Sequence, residues 1–240
     1  MMTKHTINSW HELASIAEKF HEGTWIFRGV EDAQYELIPR VGRRDTSYDL
    51  KTSTPLGYSP KFEKLCIEQF KREAKPHMSV QPQSELEWLS IAQHYGLPTR
   101  FLDWSESPLV AAYFTVREGG FVGRNKSLTD AAIYGMQIPE TVTKDEELEN
   151  SSDVVAYFPS HLSARITAQR GLFTYHRHPE QTYRPEGLVK WVLPGKICFT
   201  VKVILNKCGI NEASMFPDLG GIAGHVRWLL KWPQLLSGSA

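Results

Sequence analysis

The spacing of apolar residues along the chain predicts a set of helices joined by short strands. In residues 9–20, Leu13, Ile16 and Ala17 fall on one side, with Ser9 as the cap and Gly23 as the stop. Residues 61–74 repeat Phe62, Leu65, Cys66 and Phe70 at helical spacing, with the charges elsewhere. Residues 84–95 carry Leu86, Leu89 and Ile91 with Trp88 and Ala92 beside them. Ser84 followed by Glu87 predicts a capping box there, and Gly96 and Pro98 end the helix. Ser105 is expected to cap the next helix, with Pro108 in its first turn and Leu109, Val110, Ala112, Tyr113 and Phe114 on its apolar side. A last helix is expected within 211–230.

Strands are expected at 25–28, closed by Gly29, at 99–104 with Phe101 and Leu102 inside, at 131–138 and at 154–158. A turn and a strand are expected around Gly171, and the alternating, β-branched residues 196–204 read as another strand. Residues 45–60, rich in Ser, Thr, Pro and Tyr, read as a loop. Residues 139–153 carry six acidic residues against one lysine and read as an exposed, mobile loop. Helices and strands mix without regular βαβ alternation, which favours an α+β fold over a doubly wound sheet. With no internal repeat and no linker, the chain reads as one domain over 1–236, with an unstructured tail at 237–240.

The 240 residues are 41% hydrophobic, enough for a sizeable core. Lys plus Arg equals Asp plus Glu at 27 each, so no global positive field draws in nucleic acid, and such binding must rest on a local patch. Cys66, Cys198 and Cys208 show no CxxC spacing, which argues against zinc and disulfides and suits a cytoplasmic protein. The charged and polar start, with Lys4, His5, His11, Glu12, Glu18 and Lys19, holds no apolar run fit for a signal peptide or a membrane span. His161, His176, His178 and His225 are scattered without metal-ligand spacing, so no metal is expected.

Candidate chemistry concentrates in QHYGLPTRFLDWSESPLVAAYF, residues 93–114, where polar groups gather at a strand end. Backbone N–H groups at the following helix start would favour an anion such as a phosphate; the alternative is a capped helix facing water. Trp25-Ile26-Phe27-Arg28-Gly29 puts an arginine at the end of an apolar strand, beside a glycine that admits a ligand to the backbone. Arg28 either grips a phosphate or ribose with its planar fork or pairs with a core carboxylate such as Asp103. His94 either takes a proton from a nucleophile or is a buried histidine at a helix end. Arg165 and Gln169, four apart, share a face if helical and would pin a loop near the cleft. Met215-Phe216-Pro217 reads as a core plug.

Several of these groups together resemble a known family, the FRG domain. They are Phe27-Arg28-Gly29, Leu37-Ile38-Pro39-Arg40, Gln93-His94-Tyr95-Gly96-Leu97-Pro98-Thr99-Arg100 and Leu102-Asp103-Trp104, then Arg165, Gln169, Gly171 and Phe173, then Met215-Phe216-Pro217-Asp218-Leu219. The resemblance covers nearly the whole chain, but the family name carries little function. A second resemblance, to mono-ADP-ribosyltransferases of the Arg-Ser-Glu type, implies one. Arg28 matches the arginine closing the first core strand, and Asp103-Trp104-Ser105 falls where those enzymes have Ser-Thr-Ser before an apolar helix. Asp103 stands for the first serine. Gln169 stands nearest to the catalytic glutamate, with Glu180 and Glu186 as further candidates.

That resemblance implies a mixed, partly split β-sheet with flanking helices and NAD as cofactor. Phe27, Arg28, Gly29, Tyr95, Trp104, Ser105 and Phe173 would surround the NAD, and Arg28, Asp103, His94 and Gln169 would be the catalytic set. The implied reaction breaks the N-glycosidic bond of NAD, and ADP-ribose passes to RNA, DNA or protein. The implied setting is a toxin or phage-defence effector, with an antitoxin as a further partner. The alternative is a non-catalytic nucleotide-binding or interaction module. A metal-dependent nuclease would need more carboxylates than Asp103 and Glu106.

Overall fold

The computed structural model describes residues 2–21, 24–78, 80–118, 129–159 and 164–235. Its strands are β1 (Thr3–Thr6), β2 (Trp25–Val30), β3 (Phe101–Ser105), β4 (Ala131–Gln137), β5 (Thr141–Val142), β6 (Val154–Tyr157), β7 (Gly171–His176) and β8 (Val189–Leu193). They form one open sheet in the order β1-β8-β4-β2-β3-β7-β6-β5. β1 runs parallel to β8 and β5 parallel to β6; the other neighbours are antiparallel. The helices are α1 (Trp10–Lys19), α2 (Pro60–Ala74), α3 (Glu85–His94), α4 (Pro108–Val116), α5 (Ala164–Gln169), α6 (Gly195–Lys207), α7 (Glu212–Met215) and α8 (Leu219–Leu230). The fold is α+β, as the order of elements predicted. Among the described residues no helix is long and apolar enough to cross a membrane.

The alternation of each strand sorts its side chains onto two faces. Phe27, Ile133, Trp191 and Leu193 pack against Leu13 and Ile16 of α1, Val110 and Ala111 of α4, and Cys198 and Val201 of α6. Farther along, Phe101 and Phe173 pack against Ile67 of α2 and Leu86 and Leu89 of α3. The opposite face, with Ile26, Val30, Leu102, Trp104, Tyr134 and Leu172, is covered by Leu37 and Tyr183 rather than by helices.

β2 and β3 barely touch. Their register holds a single pair, Phe27 opposite Ser105, whereas β2 pairs with β4 along its whole length. Continued by two residues, that register would set Gly29 against Asp103; instead the strands part and open a slit through the sheet.

Several expectations need correction. Residues 196–204 are not a strand but the centre of α6. Cys198, Val201 and Leu205 are buried at steps of three and four, and this helical stripe outweighs the β-branched content. The acidic 139–153 segment is not a free loop. It forms β5 and a 3-10 turn, and the Asp145 carboxylate accepts the N–H groups of Glu85 (2.6 Å) and Leu86 (3.1 Å), capping α3 from outside. Ser84 does cap α3, but Glu87 reaches back to Gln83 N rather than to Ser84. Ser107, not Ser105, caps α4. The last helix is broken at Pro217, and Asp218 caps its second half. β1 and β8 went unread, being short and lying at or next to the sheet edge. The expected tail at 237–240 and His161 lie outside the described residues.

Candidate functional site

Where β2 and β3 part, the slit widens into a cleft of about 390 Å³. Arg28 enters it from the loop-covered face, since it alternates with Phe27 and shares its side with Tyr134. Its Nη1 donates to the main-chain oxygen of Asp103 at 2.7 Å, replacing the ladder bond that the parted strands cannot make. The same nitrogen lies 3.4 Å from Asp103 Oδ2. The Arg28 side chain is 17% exposed and that of Asp103 57% exposed. The expectation for Arg28 offered either a ligand grip or a carboxylate pair. The pair exists, but it uses one nitrogen and leaves the rest of the fork facing the cleft.

Arg43 stands beside Arg28, and sequence reading missed it. It follows a 3-10 turn (Arg40–Gly42) that is tied down by Val41 N donating to Thr99 O. Its Nε donates to Ile38 O at 3.2 Å, and among the described residues its terminal nitrogens have no hydrogen-bond partner. Burial, then the charge of Arg28, pulls Arg43 below the ordinary guanidinium range. Two guanidinium groups that line one cleft and repel each other would be relieved by sharing an anion. The adjoining loop is held by Tyr134, which donates to Tyr35 O (2.8 Å) and accepts from Lys190 Nζ (2.7 Å), while Lys190 also reaches Ala33 O.

Asp103 is fixed from its other side by Gln93, whose Nε2 donates to Oδ2 at 2.8 Å and whose Oε1 accepts from Thr99 at 2.7 Å. Gln93 is thus a positioning residue that the candidate set lacked. His94 lines the cleft, half-buried and edge-on to Tyr95 at 4.9 Å. Tyr95 itself does not line it. The turn that ends α3 at Gly96 (φ +89°) carries Tyr95 outward, 75% exposed, so its expected stacking role is withdrawn.

The remaining candidates line the cleft but are occupied. Ser105 Oγ donates to Gln169 O (2.8 Å) and accepts from Ser107 N (3.0 Å), so it ties α5 to the β3 turn. The Gln169 side chain lines the cleft, and its Nε2 donates to Met215 O at 3.0 Å. Trp104 is buried, its indole N–H held by Thr174 at 2.9 Å. Phe173 is buried and stacked on Phe101 at 4.8 Å, and Phe27 belongs to the core under α4. Gly29 serves packing rather than ligand approach: a Cβ there would sit 2.0 Å from the backbone oxygen of Ala111 in α4. The side chain of Arg165 lies outside the described residues, so its shared face with Gln169 stays an expectation. Glu180 and Glu186 do not line the cleft.

A second end of the cleft escaped sequence reading altogether. Phe114 and Phe216 meet edge-on at 6.3 Å, and the Arg117 guanidinium lies 4.3 Å above the Phe216 ring. Phe216 is therefore cleft wall as well as packing, which amends its reading as a plug. Glu31 lines the same end. Burial, then repulsion from Glu118, holds the Glu31 carboxyl above the ordinary range, against the pull of the Glu118 backbone, Arg117 and Lys202. The cleft thus has a cationic end at Arg28 and Arg43 and an aromatic end carrying Glu31. Among the described residues no three His, Cys, Asp or Glu side chains gather as a metal site.

No curated protein and no solved structure matches the chain. A family model does match, from just before β2 to just after α4. It takes in Arg28, Arg43, Gln93, His94 and Asp103 but ends before Gln169, Phe173 and Phe216, so the resemblance is narrower than the nearly complete coverage expected. The model the chain matches is that of the FRG domain, over residues 23–120, the stretch that builds the cationic end of the cleft.

Proposed function

We propose that the cleft binds NAD and that the protein transfers ADP-ribose from it to a macromolecular acceptor, RNA, DNA or protein. The observation that carries the reading is the convergence of Arg28 and the Asp103-Trp104-Ser105 corner on one opening, with Arg43 alongside. A cleft of about 390 Å³ lies in the usual range for small-molecule sites. The adjacent guanidinium groups suit a diphosphate, and the aromatic end suits a flat ring. NAD supplies an ADP-ribosyl group joined to nicotinamide, which leaves readily.

The chain's own groups divide the remaining work. Arg28 and Arg43 hold phosphate oxygens. Asp103, fixed by Gln93 and more than half exposed, places negative charge in the slit. His94, which lines the cleft, would take a proton from an incoming nucleophile. Ser105, Trp104 and Phe173 keep the wall rigid. Draining NAD or modifying an essential macromolecule would make such an enzyme a toxin or a phage-defence effector.

One observation favours a second reading, a non-catalytic nucleotide-binding module. The position nearest to the expected glutamate is Gln169, and its amide is spent on Met215 O. The deciding experiment incubates the protein with labelled NAD and, separately, with total RNA, DNA and protein. Nicotinamide release with label on one acceptor supports transfer. NAD binding without release or transfer supports the second reading.

A further inference from the structure

We propose that the aromatic end of the cleft seats a planar ring bearing an amino group, and that Glu31 accepts a hydrogen bond from that amino group. The inference rests on the cleft holding NAD and assigns its orientation. At the Glu31 end the charge of Arg117 is opposed by Glu31, Glu118 and Glu212, whereas at the other end two guanidinium groups line the cleft with the exposed Asp103 beside Arg28. The balance of charge therefore favours the diphosphate at Arg28 and Arg43 and a ring at Glu31.

The spacing agrees. Glu31 follows Arg28 by three residues of extended chain, about 10 Å, which leaves room for a sugar between phosphate and ring. The walls agree as well. Phe114, Phe216 and the Arg117 guanidinium stacked on it are flat groups that favour a flat guest.

The carboxylate at this end is complementary to such a group. Glu31 lines the cleft, and an ionised carboxylate offers only acceptors. That chemistry matches an amino group. Two parts of NAD present one, the carboxamide of nicotinamide and the amino edge of adenine. The burial of Glu31 sharpens the choice, because a carboxylate drawn partly from water gains most from an N–H donor and loses most against an oxygen.

The test is a calorimetric titration of the intact protein with NAD and two analogues. One carries nicotinic acid for nicotinamide, the other hypoxanthine for adenine; each puts oxygen where an amino group was. One analogue is expected to bind about 10-fold or more weaker than NAD, and which one identifies the ring at Glu31. Glu31→Ala should weaken NAD to a similar extent and erase most of the analogue's penalty. Glu31→Gln, which keeps the shape and removes the charge, should also shrink it. Equal binding of all three dinucleotides, or a penalty undiminished in both variants, overturns the assignment and leaves NAD binding standing. No binding by NAD overturns both.

Discussion

Arg28, on β2, and Arg100, just before β3, each face a carboxylate, yet they are used differently. Arg100 is saturated. Nε and Nη2 grip Glu63 at 2.8 and 2.6 Å, Nη1 donates to Tyr175 at 3.0 Å, and Nη2 also reaches Tyr58 at 3.1 Å. The Glu63 side chain is 6% exposed, and Tyr58 donates to it as well. Arg28 touches Asp103 through one nitrogen, at 3.4 Å to the carboxylate, and that carboxylate is largely exposed. A closed fork is a clasp between α2 and β3, whereas a half-used fork beside a second arginine keeps donors for the proposed ligand. Residue type does not separate the two roles; the count of satisfied donors does.

The largest expected effect falls on the clasp. Glu63→Gln strands a buried guanidinium and should cost roughly 3–5 kcal/mol in a denaturant melt; a loss under about 1 kcal/mol would mean that the clasp contributes little. Next comes the pH response beneath Arg28. His176 is buried and held down to about 3 by burial and then by Arg28, so it stays neutral in the folded state and becomes charged on unfolding. Its contribution is present above about pH 6.5 and is lost as pH falls toward about 3, on the order of a few kcal/mol. His176→Gln should flatten that acid limb, and an unchanged limb would contradict the assignment. Gly29→Ala drives a methyl against Ala111 O and should cost roughly 1–3 kcal/mol; a neutral melt would mean that α4 moves freely over β2. Smallest of all, Arg28→Ala should change stability by no more than about 1 kcal/mol, because its carboxylate partner is exposed. A loss as large as that of Glu63→Gln would erase the contrast.

The cationic end of the cleft was partly legible because it comes from contiguous sequence. Arg28 closes an apolar strand, and Asp103-Trp104-Ser105 sits at a strand-helix turn, so spacing alone put polar groups at one edge. Arg43, Glu31, Arg117, Phe114 and Phe216 were not legible as site residues. They meet only because the sheet parts at Phe27–Ser105 and because α7 returns Phe216 to α4, and neither event leaves a local pattern. α6 was misread because its β-branched residues speak for a strand in isolation, while the apolar face of the sheet selects a helical stripe. Gly29 was placed correctly but for the wrong reason, since nothing local reveals that α4 presses on it.

The most direct test of the open guanidinium is calorimetric titration of NAD into the intact protein and into Arg28→Ala, each shown by circular dichroism to be folded. The account predicts saturable binding to the unaltered protein, weakened roughly 100-fold by the substitution, with the melt of the variant nearly unchanged. Equal affinity in both proteins, or no binding in either, would contradict it.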